Sequence, residues 1–164
     1  MADKEAQARV KAVEIAFPDS KEATPKDVKY MKRAYEIASN AVKNGNHPFG
    51  ALLVYNDTII MEYENHVMTT KDITLHAETG LIAKASKNLT SELINKCTLY
   101  TSTEPCIMCC GAIFWAKVKK IVYGVTSSQF SKLIGDAFHA SNVHDIFKEI
   151  DKDTVVVGPI MEKE

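Results

Sequence analysis

No apolar run in this sequence approaches the roughly 20 residues that a membrane-crossing helix requires. The segment Met1 to Ala8 carries Asp3, Lys4 and Glu5 and lacks the hydrophobic stretch of a secretory signal. No membrane partner is expected, and the expected location is cytoplasmic. An excess of either charge is also missing. Twenty basic residues stand against 21 acidic ones, for a net charge of −1. Binders of long nucleic acids draw most of their affinity from phosphate contacts and carry a basic surplus. A long polynucleotide is therefore not the expected partner. Cysteine is scarce, with four residues, yet Cys106, Cys109 and Cys110 fall within five positions. They are too close for ordinary disulfides among themselves. In a reducing compartment such a cluster reads as metal-binding or redox-active.

What is present is the make-up of one globular domain. The chain has 164 residues, of which 46% are hydrophobic and 25% charged, enough to bury a core. Met1 to about Phe17 reads as a short helix and Pro18 to Pro25 as a polar linker. Residues 1–25 are thus an extension, and residues 26–164 the domain. Val28, Met31, Tyr35, Ala38 and Val42 recur at helical spacing between Asp27 and Lys43. Asn44-Gly45-Asn46 ends that helix. Ala51 to Tyr55 and Thr58 to Tyr63, joined by Asn56-Asp57, predict a β-hairpin. Helices are expected over Glu78 to Lys87, Ile107 to Lys117 and Phe138 to Ile150. Strands are expected over Cys97 to Thr101, Lys120 to Val125 and Thr154 to Val157. This order predicts an α/β fold, a three-layer α/β/α sandwich with a mixed five-stranded sheet.

Two short motifs sit at predicted helix starts, where such sheets place their sites. One is His76-Ala77-Glu78. The other is Pro105-Cys106-Ile107-Met108-Cys109. Zinc takes four tetrahedral ligands from nitrogen and thiolate sulfur. His76, Cys106 and Cys109 supply three, and a catalytic site leaves the fourth position to water. The helix start favours thiolates at the two cysteines. Zinc lowers the pKa of bound water from about 16 to about 7. Glu78, one step into its helix, is placed to take a proton from that water, deliver it to a ring nitrogen and help ammonia depart. Singly, each motif has a plainer reading, since H-x-E is common and C-x-x-C is often a redox pair or half of a structural zinc site. Their order, with a proline before the first cysteine and a strand and helix on either side, makes them specific. Cys110 lies on the same helical face, either as a fourth ligand or as a small buried residue, and the buried reading is preferred. Cys97 is read as core.

H-x-E followed by P-C-x-x-C is the signature of the zinc deaminases. The chain resembles the cytidine deaminase superfamily, and within it the branch of bacterial guanine deaminases and tRNA adenosine deaminases. The resemblance runs from about Lys26 to Val157. It is carried by His47-Pro48-Phe49-Gly50-Ala51, Asn65, Thr74-Leu75-His76-Ala77-Glu78 and the run from Thr103 to Ile113. It implies the sandwich fold, bound Zn2+ and a homodimer. It also implies that Asn65 hydrogen-bonds the base, that Phe49 packs on the ring, and that Ala77 adds a substrate contact. A strand-end role for Asn65 and a core role for Phe49 are the alternatives. His47 stands where relatives often carry glycine, and either touches substrate or is a loop histidine. Glu104 and Pro105 are read as support for the cysteine helix. The run Gly111 to Ala116 looks more like guanine deaminases than like the tRNA enzymes, with Trp115 either lining the pocket or packing the helix. The tract Ile134 to Phe138 resembles a guanine-deaminase loop, so Asp136 is a candidate reader of the purine edge, with a helix N-cap as the alternative. A carboxylate there accepts two N–H groups. Guanine deaminases continue with a C-terminal segment that covers the site, whereas this sequence ends at Met161-Glu162-Lys163-Glu164. Either that cover is absent or something else closes the pocket, and the extension could supply the cover or a dimer contact.

The expected activity is zinc-dependent hydrolytic deamination of a nucleobase or nucleoside, releasing ammonia, with guanine to xanthine as the leading case. Deamination of a tRNA wobble adenosine is the runner-up. The near-neutral charge opposes it, although Lys117, Lys119 and Lys120 form a small basic cluster. Cytosine or another amino-heterocycle stays open, because the zinc chemistry is indifferent to the ring. A structural zinc or redox module on Cys106, Cys109 and Cys110 is the non-enzymatic reading, and it makes Glu78 dispensable.

Overall fold

The computed structural model describes residues 23–135 and 142–160. Helix α1 (Pro25–Lys43) starts at a capping box. The Asp27 N–H donates to Thr24 Oγ1 at 3.2 Å, and the Asp27 carboxylate accepts from the Thr24 N–H at 3.0 Å. Two otherwise orphaned donors are satisfied this way, and Pro25 occupies a first-turn position that needs no N–H. Strands β1 (Gly50–Tyr55) and β2 (Thr58–Glu64) form the expected hairpin. Asn56 and Asp57 have φ of 47° and 59°, the left-handed pair that a two-residue hairpin turn requires. There follow α2 (Val67–Thr70), α3 (Ala77–Asn88), α4 (Ser91–Lys96), β3 (Thr98–Thr103), α5 (Ile107–Trp115), β4 (Lys120–Val125), α6 (Ser127–Ile134), α7 (Val143–Ile150) and β5 (Val155–Val157).

The sheet order is β2-β1-β3-β4-β5. The β2/β1 and β1/β3 pairs are antiparallel, and β3, β4 and β5 run parallel. This is the mixed five-stranded sheet that the sequence predicts, with helices on both faces. Strand alternation sorts the core into two layers. Ala51, Leu53, Leu99 and Ile121 face α3, α4, α5 and α7, where Leu81, Ile94, Ile113 and Phe147 meet them. Leu52, Val54, Tyr100 and Val122 face α1 and α6, where Met31, Ala34, Tyr35 and Phe130 meet them. Gly50 allows α1 to lie close, because a Cβ there would fall 2.5 Å from the Ala34 carbonyl oxygen.

Several boundaries differ from the sequence reading. Helices α2, α4 and α6 are additional. Both α4 and α6 begin at threonine caps, with Thr90 Oγ1 accepting from the Leu93 N–H and Thr126 Oγ1 from the Gln129 N–H. Gly135, at φ 69°, ends α6. Strand β3 extends to Thr103, two residues further than expected. Helix α5 stops at Trp115 rather than Lys117, which adopts φ 59°. The expected helix over residues 1–17 lies outside the described residues, as does the expected start of α7 at Phe138. Among the described residues, no helix is long and apolar enough to cross a membrane.

Candidate active site

The chain crosses from β3 to the parallel β4 through α5. The start of α5 therefore lies at the carboxyl end of β3. Cys106 is the N-cap of α5, and His76 is the N-cap of α3, which packs against α5. Neither side chain is consumed in capping its own helix. The loop before His76 is fixed from both ends. Asp72 Oδ1 accepts from the Thr74 N–H at 2.9 Å, and the His66 N–H donates to the Leu75 carbonyl at 3.0 Å. Thr79 Oγ1 donates to the Thr74 carbonyl.

His76 Nδ1, Cys106 Sγ and Cys109 Sγ form a triangle whose three sides are each 3.6 Å. Zinc–ligand bonds of about 2.3 Å to sulfur and about 2.0 Å to nitrogen, set at the tetrahedral angle, require edges of about 3.8 Å and about 3.5 Å. The triangle fits a tetrahedral ion. Among the described residues these three side chains make the cluster, and no fourth protein ligand joins them. With Nδ1 facing the sulfurs, a metal held there would bond Nδ1 and leave the His76 proton on Nε2. Donation from Cys109 and the nearby His76 ring outweigh burial and hold the Cys106 thiol down at about 4. The Cys106 sulfur and burial push Cys109 up instead. Two thiols this close share one proton readily, and both give it up to ligate a metal. Cys110 is fully buried in the helical layer. Its Sγ–H turns to the Pro105 carbonyl at 3.6 Å, and burial pushes it up to about 12. It is a core residue and not a fourth ligand.

Glu78 is 5% exposed. Its Oε1 accepts from Thr101 Oγ1 at 2.7 Å, and its Oε2 lies 3.4 Å from Cys109 Sγ. Burial raises its pKa, against the pull of the Thr101 hydroxyl. A carboxyl group beside a metal triangle and with raised proton affinity is equipped to carry a proton. Nothing in the sequence points to Thr101 beyond a hydroxyl at a strand position whose alternates pack in the core.

The remaining predicted residues divide. Asn65 is 1% exposed, its N–H donates to the Phe49 carbonyl at 3.0 Å, and its Oδ1 accepts from the Val67 N–H at 3.0 Å. Its Oδ1 and Nδ2 are thereby distinguished, and among the described residues no acceptor takes the Nδ2 hydrogens. Phe49 is half-buried against Phe130, with ring centroids 4.9 Å apart. Asn46, which sequence reasoning missed, ties this loop to α2 by accepting from the Thr69 N–H and Oγ1. His47 is exposed, while Ala77 and Pro105 are buried. Glu104 touches neither cysteine. Its Oε2 accepts from the Ser127 N–H at 3.0 Å and its Oε1 from the Val143 N–H at 2.8 Å. It thereby holds the starts of α6 and α7 beside the cysteine segment. Trp115 is 81% exposed, so in the single chain it neither packs α5 onto the sheet nor lines a closed pocket. The inward face of α5 is taken by Cys109, Cys110 and Ile113. Asp136 lies outside the described residues.

The sequence profile of the cytidine and deoxycytidylate deaminase zinc-binding region matches residues 24–125. The chain is 39% identical over 153 residues to a probable cytosine deaminase of Schizosaccharomyces pombe, covering 88% of this chain and 91% of that protein. It is 42% identical over 125 residues to the guanine deaminase of Bacillus subtilis, covering 75% and 76% of the two chains. A tRNA-specific adenosine deaminase of Buchnera aphidicola is 36% identical over 107 residues, covering 65% and 71%. The crystal structure of the Bacillus subtilis guanine deaminase superposes with a TM-score of 0.60 at 36% identity, covering 83% of this chain and 86% of that one. With the profile spanning more than half of its length and such relatives matched over most of theirs, the chain belongs to the cytidine and deoxycytidylate deaminase zinc-binding family.

Proposed function

We propose that this protein is a hydrolytic deaminase of free nucleobases, with guanine as its first substrate. The observation that carries the reading is the three-donor triangle of His76, Cys106 and Cys109 with Glu78 Oε2 3.4 Å from one corner. A zinc ion held there supplies Lewis-acid activation of water. Glu78 Oε2 would accept one proton of the attacking water and pass it to the ring nitrogen next to the amino-bearing carbon. It would then carry the second water proton to the amine as the new C–O bond becomes a carbonyl and the C–N bond breaks, so that water and the base become the oxo-base and ammonia. Asn65 presents its Nδ2 hydrogens to an acceptor on the base, a ring nitrogen or a carbonyl oxygen. Phe49 offers an aromatic face. Exposed His47 is assigned to the rim of the site, buried Ala77 to its floor through its backbone, and Asp136 to the purine edge.

Guanine is placed first on the 42% identity to a guanine deaminase. Cytosine is the second reading, on the 39% identity to a probable cytosine deaminase that spans more of both chains. The net charge of −1 disfavours a tRNA substrate. A second copy completes the reading. Ile107 and Trp115 stand 74% and 81% exposed on α5, with Gly111 open between them at one helical turn from each. That apolar stripe suits a self-complementary contact.

Ammonia release from the zinc-loaded protein tests the proposal against guanine, cytosine, adenine and a tRNA anticodon stem. Turnover of guanine well above the others is expected. Preference for cytosine would move the assignment to the second reading, and absence of turnover on every base would remove the proposal.

A further inference from the structure

We infer that Thr101 is a positioning residue that fixes which oxygen of Glu78 does the chemistry. The inference rests on the deaminase reading above and concerns a residue to which that reading gives no part. Thr101 lies in β3, and its side chain faces the α3/α5 layer by alternation with Leu99. Its cross-strand partners in that layer, Ala51 on β1 and Tyr123 on β4, belong to the buried apolar cluster. Valine has the same shape and would fill the place without a polar atom. A buried hydroxyl costs stability unless it is hydrogen-bonded, so its presence calls for a partner.

The partner is Glu78 Oε1, at 2.7 Å. A hydroxyl has one proton to give. The other acceptor in reach, the Thr103 carbonyl, is farther away at 3.3 Å. The strand thus anchors one arm of the carboxyl group. The other arm, Oε2, is left on the side of the ligand triangle, 3.4 Å from Cys109 Sγ. Glu78 sits at the second position of α3 and carries three side-chain torsions. Without the anchor, rotation about the last of them exchanges the two oxygens and lets the carboxyl group swing off line. Small misplacements of this kind cost rate rather than affinity. Thr101 therefore acts through Glu78 and touches neither substrate nor metal.

The test compares Thr101→Val, which keeps the shape, with Thr101→Ser, which keeps the hydroxyl. For Thr101→Val we expect kcat to fall by about one to two orders of magnitude, the scale of one hydrogen bond to a charged group. KM should stay within about twofold and zinc content should be unchanged. Thr101→Ser should recover most of the rate. A second readout is independent of turnover. In the chelated, metal-free protein, the infrared difference against Glu78→Gln isolates the Glu78 carboxyl band. That band should shift in Thr101→Val and return in Thr101→Ser. Thr101→Ala serves in the same role if the valine variant does not fold. An unmoved band, or an undiminished kcat in the variants that lack the hydroxyl, overturns the inference. A band that moves in a protein whose wild type deaminates nothing would instead leave the anchor standing and remove the deaminase reading.

Discussion

Two buried carboxylates lie on opposite faces of this sheet, and they are solvated by the protein in opposite ways. Asp27, 1% exposed, accepts from the Thr24 N–H and Oγ1, from the Tyr100 hydroxyl at 2.7 Å, and has Lys120 Nζ 3.6 Å away. Burial pushes its pKa up, but these donors together pull it below the ordinary value of 3.8. Glu78, almost as buried, has one hydroxyl, and burial wins. The donors that set them apart, Tyr100 and Thr101, are adjacent on β3 and point to opposite faces. A fully satisfied acid stays ionised and serves as a fastening. A half-satisfied one keeps its affinity for a proton and is available for reaction.

The comparison breaks most completely if the metal site is removed. Cys106→Ser should lose zinc and all measurable deamination, checked by metal analysis alongside ammonia release. Glu78→Gln comes next. We expect kcat to fall by about 10²- to 10⁴-fold with zinc retained. In the chelated protein the same change should stabilise. The raised pKa means that the carboxyl group's contribution is fully present below its ordinary value of 4.5 and is lost as pH rises through the folded-state value. The advantage of the glutamine variant in thermal melts should therefore grow from acidic to neutral pH. A variant no more stable at pH 8 than at pH 4, relative to its parent, would contradict this.

Asp27→Asn should do the reverse. It should leave kcat per folded molecule alone and lower stability at neutral pH by about 1–3 kcal/mol, read by urea unfolding. Because the Asp27 pKa is depressed, its stabilisation is present above 3.8 and is lost as pH falls through the folded-state value. Parent and variant should thus converge only below about pH 4. The smallest effect is expected at Cys110, whose sulfur is packed rather than ligating. Replacement by Ala should cost about 1 kcal/mol and leave one zinc per chain.

Much of this was legible in the sequence, because the signals were local. The period of Val28, Met31 and Tyr35 marked α1, the Asn56-Asp57 pair marked the hairpin, and the two spaced motifs gave all three metal-ligand positions. Helices α2 and α4, of four and six residues, are too short for a period to show. Helix α6 had its signals, Thr126 before it and Gly135 after it, but its apolar residues were few. The bond from Thr101 to Glu78 spans 23 residues, and nothing in either segment announces the other. The role expected of Glu104 as support for the cysteines took another form, because its partners are backbone N–H groups that carry no residue signature. The sequence offers Trp115 either to the pocket or to helix packing, whereas its exposure leaves it on the outer surface of the single chain.

Glu104 offers each of its oxygens to a different helix start. Glutamine has the same size but only one lone-pair-bearing oxygen, and its amide would confront an N–H with an N–H. At this position bulk is irrelevant and symmetry is everything. Two successive helices take their places from one delocalised charge, and an uncharged look-alike can seat only one of them.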